Sequence, residues 1–254
     1  MYYVFGREIM ELRQEYLGGG ITAFVSDAHT FGTDAVLLAD FASPTKRAVC
    51  CDLGSGCGII PLLWCKKETG KITAVEIQPL GASQIEKAIE FNNLSERLTA
   101  VNADLKELKG VVPFGCFDLV TMNPPYKASG AGIESRSGAD KIARHETMCT
   151  FKDICTVAAK LLNFGGKLCM CIRPERLCEL FCEMKAAGIE PKRLRLVSKC
   201  AGKAPWLALV EGRRGGKSGM TVEPELFVHG ENGYSDEMKR IYGDYLLENR
   251  GENN

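Results

Sequence analysis

Between Ala48 and Leu63 an apolar run, Ala48-Val49-Cys50-Cys51-Asp52-Leu53, breaks into Gly54-Ser55-Gly56-Cys57-Gly58 and resumes as Ile59-Ile60-Pro61-Leu62-Leu63. This reads as a buried strand, a glycine-rich turn and a helix, the unit from which α/β sheets are built. Glycines there let the backbone approach a ligand closely, and the helix start offers N–H groups to an anion. The dinucleotide fingerprint is excluded, because its third glycine would fall where Ile59 stands. Gly54-x-Gly56-x-Gly58, with Asp52 inside the turn, suits a ligand with an amino-acid end and no pyrophosphate. A tight turn with no ligand is the plainer alternative.

The alternation continues. A strand at Lys71–Ile77 carries Glu76 near its end, and a helix at 79–92 sets Ala82, Ile85, Ala88 and Ile89 on one face. An acid at the end of the second strand of a doubly wound sheet commonly holds ribose hydroxyls, although a solvated strand-end Glu would look the same. A third strand, Leu98–Asn102, leads into Ala103-Asp104-Leu105. Asp104 there is either an acceptor for an adenine amino group or a helix cap. A fourth, Phe117–Met122, runs into Asn123-Pro124-Pro125-Tyr126. Two prolines fix φ and remove two N–H donors, and the first pushes Asn123 out of the helical region. The result is a stiff turn with carbonyl acceptors, an amide before it and an aromatic ring after it. A planar amine needs such a site to be alkylated. The bland reading is a strand ending in a proline turn with a buried Tyr.

Four βα corners carrying suitable groups would converge at the carboxyl ends of the strands, where ligands of open α/β sheets bind. In this order the residues from Asp52 to Gly58, with Glu76, Asp104 and Asn123 to Tyr126, resemble the class I S-adenosylmethionine-dependent methyltransferases. More of the chain narrows the likeness. Thr30-Phe31-Gly32-Thr33-Asp34 through Ala42, Ile142-Ala143-Arg144-His145-Glu146 and Ile172-Arg173-Pro174-Glu175-Arg176-Leu177 are similar to the bacterial enzymes that methylate adenine N6 beside the anticodon of a valine tRNA. The resemblance implies a Rossmann-like fold with a seven-stranded, mostly parallel sheet, a reversed final strand and a short N-terminal hairpin-and-helix appendage. Residues 1–47 form that appendage and 48–254 the methyltransferase domain. It also implies S-adenosylmethionine held by Phe31, Thr33, Asp52, Gly54, Ser55, Gly56, Glu76, Asp104, Leu105 and Asn123. Catalysis falls to Asn123, Pro124, Pro125 and Tyr126.

Composition bounds the rest. The 254 residues are 45% apolar and 25% charged, with a formal net charge of zero, so no strongly basic coat is present and RNA binding must rest on local patches. Two patches stand out: the aperiodic stretch from Lys127 to Glu146, with Arg136, Lys141, Arg144 and His145, and the Gly-rich turn with Arg213, Arg214 and Lys217. Lys127, Arg144, His145 and that second cluster are expected to hold tRNA, flanking one mouth of the pocket. Solvated loops are the alternative.

The twelve cysteines show no paired metal-ligand spacing with the three histidines, and no leader or membrane span is evident. They read as small core hydrophobes in a reducing cytoplasm, with no metal and no membrane partner. A monomer is the simpler expectation. Thr33 is expected to cap a helix over 34–41, a hairpin ending in Ile21–Val25 to sit beside the pocket, and Ser235 to start a C-terminal helix. Competing functions are glutamine-N5 methylation of a protein, guanine-N2 methylation of ribosomal RNA, and a non-catalytic S-adenosylmethionine-binding RNA chaperone.

Overall fold

The computed structural model describes residues 2–5, 8–67, 69–124 and 149–248. Two antiparallel hairpins come first, β1 (Tyr2–Phe5) with β2 (Glu8–Glu11) and β3 (Arg13–Gly18) with β4 (Ile21–Val25). After α1 (Thr33–Ala42) the strand–helix alternation begins with β5 (Cys50–Leu53), α2 (Ile59–Cys65), β6 (Ile72–Glu76), α3 (Pro79–Phe91), β7 (Leu98–Asn102) and β8 (Phe117–Met122). There follow α4 (Phe151–Leu161), β9 (Leu162–Ile172), α5 (Leu177–Ala186), β10 (Ile189–Ser198) and β11 (Leu207–Arg214). Short elements close the described chain: β12 (Thr221–Val222), β13 (Leu226–Phe227), β14 (His229–Gly230), β15 (Gly233–Tyr234), α6 (Asp236–Tyr242) and α7 (Tyr245–Glu248).

The central sheet runs β12-β10-β11-β9-β8-β5-β6-β7, with β13 also on β10. The seven long strands match the expected class I methyltransferase sheet. β5, β6, β7, β8 and β9 pair in parallel, and β11 is antiparallel to both its neighbours. The two-residue β12 and β13 extend the far edge.

Strands buried on both faces explain the apolar runs. Cys50 and Cys51 are fully buried yet face opposite sides of the sheet. One side packs under α1, α2 and α3 with Cys50, Ala74, Leu119, Cys169 and Cys171. The other packs under α4 and α5 with Cys51, Val75, Val120, Leu168 and Met170. Trp64, 1% exposed, donates its indole N–H to the Ala39 carbonyl at 3.1 Å and so ties α2 to α1. A capping box starts α4: Thr150 Oγ1 accepts from the Asp153 N–H while the Asp153 carboxylate accepts from the Thr150 N–H.

The second hairpin belongs to the same core. Leu17, Ile21, Ala23, Phe24 and Val25 share one cluster with α1, α2 and α3. Asn92, just past α3, accepts from the Thr22 N–H at 2.8 Å and donates to the Thr22 carbonyl at 2.7 Å. Phe24 meets Phe91 edge-on at 5.4 Å.

Several expectations need correction. Gly32, not Thr33, is the N-cap of α1, and Thr33 is its first residue, with Oγ1 2.8 Å from the Tyr242 hydroxyl. Only seven cysteines are buried; Cys116, Cys178 and Cys182 are exposed, and Cys149 and Cys200 are half-buried. α5 is polar enough on its outer face to carry thiols at the surface. The C-terminal helix breaks at Gly243 into α6 and α7. The Arg213–Lys217 turn sits at the opposite edge of the sheet from the β8 carboxyl end. β11 is reversed, so Arg213 pairs with Lys167 while Ala208 pairs with Ile172. Five residues of strand span roughly 17 Å, which takes the patch away from the mouth it was expected to flank.

Candidate functional site

The carboxyl ends of β5, β6, β7 and β8 open on one cavity of about 860 Å³. Its walls include Asp52, Gly54, Ser55, Gly56, Glu76, Asp104, Leu105 and Asn123. Phe31 lines it from the segment that precedes α1. Thr33 does not; its neighbours Gly32 and Asp34 do, and Thr33 faces a second cavity beside the first. Pro124 is buried beside Asn123. Pro125, Tyr126, Lys127, Arg144 and His145 lie outside the described residues.

The glycine turn is held by acids. Gly56, at φ 57°, adopts a left-handed conformation that favours glycine, and a Cβ there would meet nothing within 4 Å. Its N–H donates to Glu76 Oε2 at 2.7 Å, while Glu76 Oε1 accepts from the Gln78 N–H at 2.8 Å. The anion at this turn is thus the protein's own carboxylate, 4% exposed. Its two oxygens keep lone pairs for ligand hydroxyls.

Asp52 is more deeply set, at 1% exposed. Thr121 Oγ1 donates to its Oδ1 at 2.6 Å and Ser55 Oγ to its Oδ2 at 2.7 Å. Burial raises its carboxyl to about 7, against the opposing pull of those two hydroxyls. A cationic ammonium brought into this cavity would favour the carboxylate. Of the two roles weighed for Asp104 the cap is present, Oδ1 accepting from the Lys106 N–H at 2.8 Å, and the residue also lines the cavity.

Asn123 is gripped at both ends of its amide. Nδ2 donates to Asp34 Oδ2 at 3.0 Å, and Oδ1 accepts from the Cys171 thiol at 3.1 Å. A flipped amide would turn its oxygen toward the Asp34 carboxylate, so Asp34 sets which way Asn123 points. Gly32 makes room for this: a Cβ there would lie 2.6 Å from Asp34 Oδ1.

Sequence reasoning missed Asp34, Cys171, His29, Gln78 and Cys149. His29, Gln78 and Cys149 line the cavity, and His29 Nε2 lies 3.1 Å from Gln78 Oε1. The histidine is carried there by Gln84, fully buried in α3, which donates to the Phe24 and His29 carbonyls. The nearest sequence signal was the Thr30–Asp34 segment itself, whose acid stands one residue past the Thr33 singled out. Among the described residues no group of three His, Cys, Asp or Glu is placed to hold a metal ion, and no helix is long and apolar enough to cross a membrane.

A glycine turn with two buried acids, a large cavity at the strand ends and an oriented amide fit a small ligand bearing an ammonium and hydroxyls. Known proteins agree with that geometry. The family model described as methyltransferase small domain matches residues 22–185. A tRNA1(Val) (adenine(37)-N6)-methyltransferase of Histophilus somni (strain 129Pt) is 28% identical, covering 85% of this chain and 89% of the relative. That of Flavobacteriaceae bacterium (strain 3519-10) is 30% identical, covering 65% of this chain and 74% of the relative. Among solved structures, a predicted O-methyltransferase from Agrobacterium tumefaciens superposes with a TM-score of 0.67 at 21% identity, covering 83% of this chain and 95% of that one. At that identity the likeness speaks for the fold. With the family match spanning more than half of its length, the chain belongs to the methyltransferase small-domain family and, alongside the Flavobacteriaceae protein, to the tRNA1(Val) (adenine(37)-N6)-methyltransferase group.

Proposed function

We propose that this protein transfers a methyl group from S-adenosylmethionine to the exocyclic N6 of an adenine in tRNA, adenine 37 of a valine tRNA being the expected position. The observation that carries the reading is the Asn123 amide, held by Asp34 and Cys171 in the wall of the cavity that also contains the Gly54–Gly58 turn and Glu76.

Asp52 and the turn at Gly54, Ser55 and Gly56 would receive the amino-acid end of the donor. Glu76 would take the ribose hydroxyls, and Asp104 with Leu105 would lie near its adenine. When bound, S-adenosylmethionine supplies an electrophilic methyl group. The chain's task is then to present the acceptor. An exocyclic adenine nitrogen is a poor nucleophile because its lone pair is delocalised into the ring. Hydrogen bonds from its N–H groups to Asn123 Oδ1 and the Pro124 carbonyl favour the pyramidal nitrogen. No strong base is required, because the amine proton becomes acidic as the bond forms. Catalysis in this reading is positioning and electrostatic preorganisation. Tyr126 would stack the extruded base, which leaves a loop at less cost than a duplex.

The test is methyl transfer from labelled donor to total tRNA, with the product nucleoside identified by mass spectrometry. N6-methyladenosine at the position beside the anticodon is expected. Asn123→Ala should lower kcat by about 10²–10³, the usual cost of one positioned hydrogen-bonding group, with little change in melting temperature. Methylation of a peptide glutamine with none of tRNA would overturn the reading.

A further inference from the structure

A second cavity, about 400 Å³, lies beside the first and is lined by Thr33, Lys199, Ala204, Trp206, Val228 and His229. The first turn of α1 divides the two: Gly32 and Asp34 line one, Thr33 the other. Its walls are tied to the site from two sides. Arg173 follows directly on β9, two residues past the Cys171 that touches Asn123, and donates to the Trp206 carbonyl at 3.0 Å. On the other side His229 stacks on Tyr234 at 5.3 Å and 9°, and its N–H donates to the Lys199 carbonyl at 2.8 Å. Tyr234 packs at 5.3 Å on Tyr242, whose hydroxyl meets Thr33.

The chemistry of this lining is specific in kind. Two half-exposed aromatic rings, Trp206 with Arg173 over it and His229 with Tyr234 on one face, and an exposed ammonium surround the space, with no acid among the described residues that line it. Flat π faces with a cation at the rim suit a nucleobase with its phosphate, and such sites bind single-stranded nucleic acid. A base splayed into the first cavity leaves its neighbour in the strand one step away, and the second cavity opens one helical residue away. We infer that this cavity takes the nucleotide flanking the methylated adenine: its base stacks on Trp206 and His229, and Lys199 holds a phosphate. The inference rests on the tRNA reading above. It assigns Trp206, His229 and Lys199 to RNA selection, a role for which the Arg213–Lys217 turn is badly placed.

The experiment is a double-substitution cycle with an anticodon stem-loop RNA. Wild type, Trp206→Ala, His229→Ala and Lys199→Gln are assayed on the natural loop and on loops made abasic at each position adjoining the target. Trp206 packs partly on the core, so Trp206→Phe, which keeps the bulk and a stacking face, serves as the folded control. Removing either aromatic side chain should lower kcat/KM on the natural loop by about tenfold, with Trp206→Phe restoring most of it. S-adenosylmethionine affinity by calorimetry should be unchanged. One of the two abasic loops should cost wild type a similar factor and cost the Trp206→Ala and His229→Ala variants almost nothing more. Efficient methylation of the RNA with additive losses in every cell of the cycle would overturn the subsite and leave the function standing. Failure of wild type to methylate any stem-loop or tRNA would remove the function itself, and the subsite with it.

Discussion

At the scale of single residues, two carboxylates do opposite work. Asp34 is a positioning residue: it holds Nδ2 of Asn123 and so directs the amide oxygen. Asp34→Ala should therefore lower kcat by about 10²-fold while KM for tRNA stays within a few-fold. Asp34→Asn, which retains an acceptor, should recover part of the loss. Equal kcat in Asp34→Ala and wild type would remove the residue from the mechanism. Asp52 is a strained acid, raised to about 7 by burial from an ordinary 3.8. The sign follows from linkage: the folded state binds this proton more tightly than the unfolded chain. The contribution to stability is thus full below about pH 4, declines as pH rises toward 7, and is constant above. A shift of that size corresponds to on the order of 4 kcal/mol. In Asp52→Asn this decline should vanish, so wild type loses ground to the variant between about pH 4 and pH 7 in chemical denaturation. Parallel pH profiles would show that Asp52 titrates as an ordinary carboxyl. The same carboxyl should make S-adenosylmethionine affinity rise with pH between 6 and 8, since a cation is better received by the ionised form.

At the scale of elements, what was legible follows from locality. β8, α3 and β7 lie within a residue of where periodicity put them, because each carries its own pattern and its own stop. β9 starts at Leu162, because Asn163-Phe164-Gly165-Gly166, which looks like a turn in the sequence, is instead a bulged strand on β8. β1 and β2 were not legible because their alternation is weak, whereas the β3–β4 hairpin was expected from Ile21–Val25. In the site, residues on the strand ends were legible from the order of βα corners alone. Asp34, His29 and Cys171 were not, because α1 and β9 bring Asp34 and Cys171 to Asn123, and the β4–α1 segment brings His29 to the cavity, through tertiary packing for which no sequence spacing exists. The clamp at Asn92 is of that kind. It pairs both backbone groups of Thr22 and fixes the β3–β4 hairpin against α3. Asn92→Ala should cost roughly 1–3 kcal/mol by leaving those groups unpaired. Hydrogen exchange should show the β3–β4 amides losing protection before those of β5, since local opening is the cheaper event. Uniform loss of protection across hairpin and sheet would show instead that the hairpin opens only with the whole core.

At the scale of the whole molecule, one reversed strand decides where charge can act. The parallel strands all run their carboxyl ends to the side of the sheet that holds the cavity, and β10 ends on that side too, sending Lys199 and Lys203 into the β10–β11 connection there. β11 then carries the chain back, so Arg213, Arg214 and Lys217 emerge at the opposite edge, where Arg214 donates to the Leu162 carbonyl and the Lys217 carbonyl accepts from Lys192. With a formal net charge of zero, the molecule has no general attraction for a polyanion, and affinity must come from whichever edge faces the RNA. Each phosphate contact contributes roughly 0.7–0.9 to the slope of log K against log salt. Replacing Lys199 and Lys203 with Gln should therefore weaken tRNA binding and flatten that slope by about 1.5. The same replacement at Arg213, Arg214 and Lys217 should leave the slope nearly as it is. Filter binding between 50 and 200 mM salt separates the two, and donor calorimetry on the same proteins reports whether the cavity itself is intact. A flattened slope in the Arg213–Lys217 variant alone would mean that the RNA wraps the amino edge of the sheet, and the cavity-side docking derived from the reversal of β11 would be wrong.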